Sequence, residues 1–193
     1  MAMGNRFGPL GCGIFMVRQF LRDRRIASLK STSPYLVNRI CDRLDLTGDR
    51  VVVEYGPGLG CFTRALLERL SPGSTLVAIE THEEFVRRLR QVPDSRLHVA
   101  PRSAEGVKDI LRRAGVRGAD VVLSGIPFSL IPEGPKLRIL KDTRAVLGKG
   151  GVFVAYQSSA HLEPYLKQVF PRVRTEWEPF HIPPLVVLKA RAA

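Results

Sequence analysis

Neither a metal-binding cysteine pattern nor a disulfide framework is present. The chain has three cysteines, Cys12, Cys41 and Cys61, odd in number and widely spaced, with no CxxC pair and no Cys/His cluster. That spacing suggests no zinc site and reads as reduced thiols in a cytosolic protein. Also missing is any apolar run of the roughly 20 residues that cross a bilayer. The stretch from Phe7 to Val17 is shorter and contains three glycines and a proline. Pro9-Leu10-Gly11-Cys12 has a trace of a lipoprotein cleavage site, but no basic region and apolar segment of proper length precede it. The expectation is a chain with no signal peptide and no membrane span. Acidic residues are in short supply: 18 Asp and Glu against 30 Lys and Arg leave a net charge of +12, with a pI near 10.4. This predicts attraction to a polyanion, either nucleic acid or an anionic membrane surface, and says nothing about fold. Internal repeats and low-complexity tracts are absent too. What remains, 193 residues with 45% hydrophobic content, suits one soluble domain with a sizeable core.

The chain is organised around residues 51–60. Val51-Val52-Val53 runs into Glu54, and Gly56, Gly58 and Gly60 then alternate with other residues before Phe62, Ala65, Leu66, Leu67 and Leu70 recur at helical spacing. The pattern predicts a buried strand, a tight turn and a helix starting at the turn. Glycines let such a turn bend sharply and lie close to a ligand. Taken alone, the turn is equally a glycine-rich β–α connection without a ligand. A second strand, Thr75 to Glu80, adds to it, because Glu80 lies 20 residues beyond Gly60. At that spacing a strand-end carboxylate reaches the ribose hydroxyls of a nucleotide-like ligand held by the turn.

The remaining segments alternate in the same way. A helix over 83–91, a strand at 96–99, a helix over 104–114, a strand at 120–124, a helix over 137–147 and a strand at 152–156 are expected. A helix over 162–170 and two extended segments, 173–177 and 185–189, finish the chain. Alternation of this kind predicts an α/β fold with a doubly wound, mostly parallel seven-stranded sheet. Residues 31–193 form the predicted domain. Residues 1–30 stand apart as a flexible start and a basic amphipathic helix. Between Ile14 and Lys30, Phe15, Val17, Phe20, Leu21 and Ile26 are interleaved with five basic side chains and one acid, Asp23. Two readings stay open for this helix: a membrane-interface segment, or a cover for the sheet or a dimer with solvated arginines.

Glu54-x-Gly56-x-Gly58-x-Gly60, Glu80 and Ser124-Gly125-Ile126-Pro127-Phe128 together resemble the motifs of class I S-adenosylmethionine-dependent methyltransferases over roughly residues 31–190. That family's Rossmann-like sheet also ends in an antiparallel hairpin. The resemblance implies S-adenosylmethionine as cofactor. The backbone of the glycine turn would lie against its methionine and ribose, with Glu54 orienting the turn or reaching the amino group through water. Glu80 would accept from both ribose hydroxyls, and Thr81 and His82 would flank the adenine. The family often has an acid after strand three, where this chain reads Pro101-Arg102-Ser103-Ala104, so Ser103 or backbone amides around Ala104 would replace it.

Ser124 to Phe128 would border the transferred methyl. In the related loop of rRNA adenine dimethylases an Asn or Asp stands where this chain has Gly125, and its oxygen accepts from the exocyclic amine. The loop is more similar to that of bacterial phospholipid N-methyltransferases, Ser-Gly-Leu-Pro and an apolar residue, relatives of which methylate ornithine lipids; Phe128 stands where those enzymes often have Leu. An amine acceptor has an unperturbed pKa of about 10 and must lose a proton before attack, which a dry pocket favours. Carbonyls near Ser124 and Ile126 would orient its N–H groups, and Phe128 or Tyr35 would hold the ammonium by cation–π contact. Tyr156 and His161 are candidates for helping remove the proton, although His161 reads more simply as a helix-start residue. His181 is a candidate for the substrate mouth, and Trp177 reads as core. The expected protein is cytoplasmic, on the inner face of the cell membrane, with an amino-lipid substrate. The alternatives are an RNA methyltransferase, favoured by the charge, and a cofactor-binding module without catalysis.

Overall fold

The computed structural model describes residues 33–179 and 184–193. The segment expected over 14–30 and His181 lie outside the described residues. The β-branched run Val51–Tyr55 forms β1, with Val52, Val53 and Tyr55 fully buried. A strand apolar on both faces belongs in the middle of a parallel sheet. Here β1 pairs in parallel with β2 (Thr75–Ile79) on one side and β4 (Ala119–Ser124) on the other. With β3 (Leu97–Ala100), β5 (Leu147–Gln157), β6 (Arg172–Glu178) and β7 (Leu185–Arg191), the seven-stranded sheet has the order β3-β2-β1-β4-β5-β7-β6. Only β7 runs antiparallel to its neighbours.

Among the described residues six helices cover the two faces: α1 (Pro34–Cys41), α2 (Cys61–Arg69), α3 (Glu83–Leu89), α4 (Val107–Arg113), α5 (Glu133–Val146) and α6 (Glu163–Val169). Ser33 caps α1 by accepting from the Leu36 amide, and Pro34 sits where a helix needs no N–H. Leu36, Val37, Ile40 and Cys41 of α1 pack with Phe62 and Leu66 of α2 on one face, against Val52, Leu123 and Val154. Burial pushes the Cys41 thiol up to about 12, so it is unreactive. Helices α4, α5 and α6 close the other face over Val53, Val122, Phe153 and Leu188.

Two boundaries and one burial differ from the sequence reading. Helix α5 begins at Glu133, before the expected 137, because Pro135 falls in the first turn and costs no helical bond. Strand β5 begins at Leu147 instead of 152, and Gly148 to Gly151 are accommodated by a register break against β4 between Ala119 and Val121. Trp177, read as core, is 67% exposed, because β6 is the sheet's outer strand.

Two ion pairs link α1 and the residues that follow it to the hairpin. Arg39 meets Glu178, whose side chain is 3% exposed, and Arg43 meets Glu176, where both partners are about half exposed. These pairs set the direction of α1, whose N-terminal end lies at the level where β5 finishes. Their energies should differ. Arg39→Ala leaves a carboxylate uncompensated indoors and should cost about 2–3 kcal/mol in denaturant unfolding. Arg43→Ala, solvent-screened, should cost less than about 1 kcal/mol.

Candidate functional site

Strand order reverses between β1 and β4, and in open parallel sheets ligands bind outside the carboxyl ends of strands at such a point. The glycine turn lies there. Gly56, Gly58 and Gly60 have φ of 68°, 55° and 77°, a left-handed run that side-chain-bearing residues seldom adopt. A methyl group on Gly56 would also come within 2.7 Å of the Ile126 side chain. The turn therefore passes directly against the loop that follows β4, and the Gly125 amide completes the junction by donating to the Tyr55 carbonyl at 2.9 Å.

Glu80 anchors this turn. Its carboxylate is 7% exposed and accepts from the Gly58 amide at 3.1 Å, the Thr81 amide at 2.8 Å and the His82 amide at 2.9 Å. A carboxylate has about four lone-pair sites, so Glu80 can still accept from a ligand hydroxyl. Glu54 is 1% exposed and uses one oxygen to accept from the Thr63 hydroxyl at 2.6 Å; its Oε1 is buried without a partner. Burial, outweighing the Thr63 bond and reinforced by the charge of Glu80, raises the Glu54 carboxyl to about 7. The Ser124 hydroxyl, at the end of β4, is likewise fully buried and unpartnered. Two orphaned polar atoms beside a left-handed glycine turn are the features expected where a polar ligand completes the structure.

The other residues singled out in the sequence fall in different settings. Thr81 is exposed and follows Glu80; His82 is half-buried, and its ring lies 4.6 Å from that of Phe85. Ser103 is exposed and caps the turn of buried Ala104. Gly125, Ile126 and Pro127 are half-buried at the junction. Tyr35 is 47% exposed near the start of α1, where its hydroxyl accepts from Arg39 at 3.3 Å. Phe128 corrects the sequence reading. It is fully buried, edge-on to Phe153 at 6.2 Å, so its ring holds the loop to the core and presents no face to an acceptor. His161 pairs with buried Lys136 at 2.9 Å, a packing role in line with the simpler reading.

One positioning residue escaped the sequence reading. Gln157, the last residue of β5, donates to the Ile126 carbonyl at 2.9 Å and accepts from the Phe128 amide at 3.3 Å. A polar residue ending an apolar strand was the only local sign of it. Beside it Tyr156 packs on Phe62, with ring centroids 4.8 Å apart. Burial, then the charge of Glu54, raises the Tyr156 phenol well above its ordinary range. A wide groove of about 640 Å³ runs along the open edge of β3, lined by Leu97, His98 and Arg113 and reaching Pro101 and Arg102, just before Ser103.

With this geometry in hand, resemblance to known proteins becomes specific. A family model described as Ribosomal RNA adenine dimethylase matches residues 29–104, the portion containing the glycine turn and Glu80. An ornithine lipid N-methyltransferase of Singulisphaera acidiphila is 27% identical over 174 residues, covering 89% of this chain and 91% of that protein. A probable ribosomal RNA small subunit methyltransferase A of Methanospirillum hungatei is 33% identical over 103 residues, which are 51% of this chain and 36% of that one. Among solved structures, the 1,6-didemethyltoxoflavin-N1-methyltransferase of Burkholderia thailandensis, with S-adenosylhomocysteine bound, superposes with a TM-score of 0.64 at 15% identity, covering 98% of this chain and 92% of that one.

S-adenosylmethionine fits the residues present, since its cationic amino group suits the orphaned Glu54 oxygen and its hydroxyls suit Glu80. A cation beside Glu54 lowers its pKa. Binding at pH 6 should therefore release up to one proton, and at pH 8.5, where Glu54 is already ionised, close to none. Calorimetry in two buffers of different ionisation enthalpy measures this. Without ligand, the folded protein holds the Glu54 proton that the unfolded chain has lost. The contribution of Glu54 to stability is therefore present below its unfolded pKa of about 4.5 and falls as pH rises through about 7. The chain thus has the fold of the class I S-adenosylmethionine-dependent methyltransferases, and its glycine turn and Glu80 resemble their cofactor motifs.

Proposed function

We propose that this methyltransferase acts on the amine of an amino-lipid headgroup, of the phosphatidylethanolamine or ornithine-lipid type, at an anionic membrane surface. The observation that carries the reading is Gly125. The acceptor loop has no side chain where adenine methylases read the exocyclic amine, and Tyr156 fills the space such a side chain would need. The match to a lipid N-methyltransferase along nearly the whole chain supports it. The family-model match favours a second reading, methylation of RNA, which the net charge of +12 also suits.

In this reading the backbone at Gly56, Gly58 and Gly60 lies against the cofactor. Glu54 takes its amino group, Glu80 its ribose, and Thr81, Ser103 and Ala104 border its adenine. Bound S-adenosylmethionine supplies a methyl carbon on a positively charged sulfur. The protein's own work is to hold the acceptor nitrogen in line with that carbon, with water kept out. Ser124, Gly125, Ile126 and Pro127 form the wall at the methyl, which Gln157 holds rigid, and Phe128 anchors this wall from below. A dry surround disfavours the charged amine and promotes the neutral nucleophile. Tyr35 stands at the entrance, where its ring meets a cationic headgroup.

A membrane partner finds support in the rim. The large hydrophobic side chains exposed among the described residues are Tyr35, Leu130 and Trp177, at 47%, 62% and 67%. Tyr35 opens α1, Leu130 follows the acceptor loop, and Trp177 pairs through Val186 with the level of Gln157. All three therefore lie at the carboxyl end of the parallel strands, on the side of the site. Aromatic and aliphatic groups of this kind settle at a bilayer interface. The basic segment 14–30 precedes α1 in the chain. No helix among the described residues is long and apolar enough to cross a membrane, and the proposed association is peripheral, on the cytoplasmic face.

The deciding experiment offers methyl-labelled S-adenosylmethionine with, separately, phosphatidylethanolamine vesicles, ornithine-lipid vesicles, bulk RNA and small amines. Label is expected in a lipid; label in RNA alone sinks the proposal. Trp177, the single tryptophan, reports on docking: its emission should shift to the blue on vesicles containing phosphatidylglycerol. Removing residues 1–30 should weaken vesicle binding and lipid methylation while cofactor affinity survives; undiminished activity on vesicles would refute a docking role for the segment.

A further inference from the structure

The glycine at 125 is not required by the backbone. Its φ lies outside the left-handed region that Gly56, Gly58 and Gly60 occupy, so a side chain there is conformationally allowed. What forbids one is space. A Cβ at 125 would overlap the Tyr156 hydroxyl and stand 2.8 Å from Tyr156 Cζ and 3.3 Å from the Gly56 carbonyl oxygen. The Tyr156 ring is held by Phe62 from α2, and its strand ends one residue later at Gln157, the clamp on the acceptor loop. A polar atom from β5 thus lies where the loop itself would otherwise project one.

We infer that the Tyr156 hydroxyl is the group that orients the methyl-accepting amine, standing in for the side chain absent at Gly125, and that the Gly125–Tyr156 pair selects an alkylamine over a flat nucleobase amine. The inference rests on the amine-methylating reading above. The hydroxyl accepts one N–H of the neutral amine and so directs the nitrogen lone pair toward the methyl carbon. The N–C bond forms as the S–C bond breaks, sulfur keeps the electron pair, and the resulting alkylammonium releases its proton to water. The phenol stays protonated throughout, in keeping with its buried setting. It is an orienting group rather than a base.

Tyr156→Phe keeps the ring on Phe62 and removes only the oxygen. With the acceptor that the wild-type protein labels, kcat should fall about 10- to 100-fold. The thermal midpoint should be unchanged, and the calorimetric affinity for S-adenosylhomocysteine should stay within about twofold of wild type. Unchanged kcat overturns the inference, and so does a loss of cofactor affinity or stability that accounts for the fall. A second series tests the pairing. Gly125→Asn alone should be inactive through overlap, Tyr156→Ala alone should be slow, and the two together should regain at least tenfold over Tyr156→Ala, because the Asn oxygen takes the vacated place. Purely additive losses count against the pairing. Should wild type label RNA and no lipid, the lipid reading falls while the same variants on RNA still decide the role of Tyr156.

Discussion

One carboxylate holds the ligand end of the sheet together. Glu80 finishes β2, yet its two oxygens accept from an amide of the glycine turn after β1 and from two amides that open α3. It thereby ties two consecutive β–α units, β1 with its turn and β2 with α3, beside the point where strand order reverses. A buried carboxylate is tolerable only with such donors around it. The left-handed glycines supply one of them, because the turn bends back far enough for the Gly58 amide to point at β2. Turn and carboxylate are a single device, and neither would hold its shape without the other.

The acceptor side is built on a different principle. There the β4 loop, two residues of β5 and a ring from α2 lock by shape. Phe128 plugs into the core, Gln157 pins the loop's backbone from both sides, and Tyr156 closes the gap over Gly125. The cofactor end therefore contains orphaned polar atoms awaiting a ligand, Glu54 Oε1 and the Ser124 hydroxyl. The end built around the loop after β4 is close-packed.

Legibility in the sequence followed the same division. Strand and helix alternation, the glycine turn and Glu80 were all readable, because each is a local pattern whose physics acts over a few residues or one β–α unit. The acceptor residues were read less well. An aromatic after a glycine-proline loop can as easily face out as in, so Phe128 reads as a substrate contact in the sequence, and only Phe153 behind it decides. The chemistry of Trp177 suggests core, but the strand that carries it is the outermost, which depends on the order in which seven strands assemble. Gln157 had no motif at all, since its partners lie about thirty residues earlier.

By itself, then, the sequence determined an α/β sheet, a left-handed glycine turn at 56–60 with Glu80 anchoring it, and a strongly basic chain. Tertiary structure alone decided that Gly125 is a glycine for want of space and that Tyr156 is what occupies that space. The physical reason is distance along the chain: a turn's conformation is set by neighbours in sequence, whereas packing at the end of β4 is set by residues from β5 and α2 that only the folded sheet brings within contact.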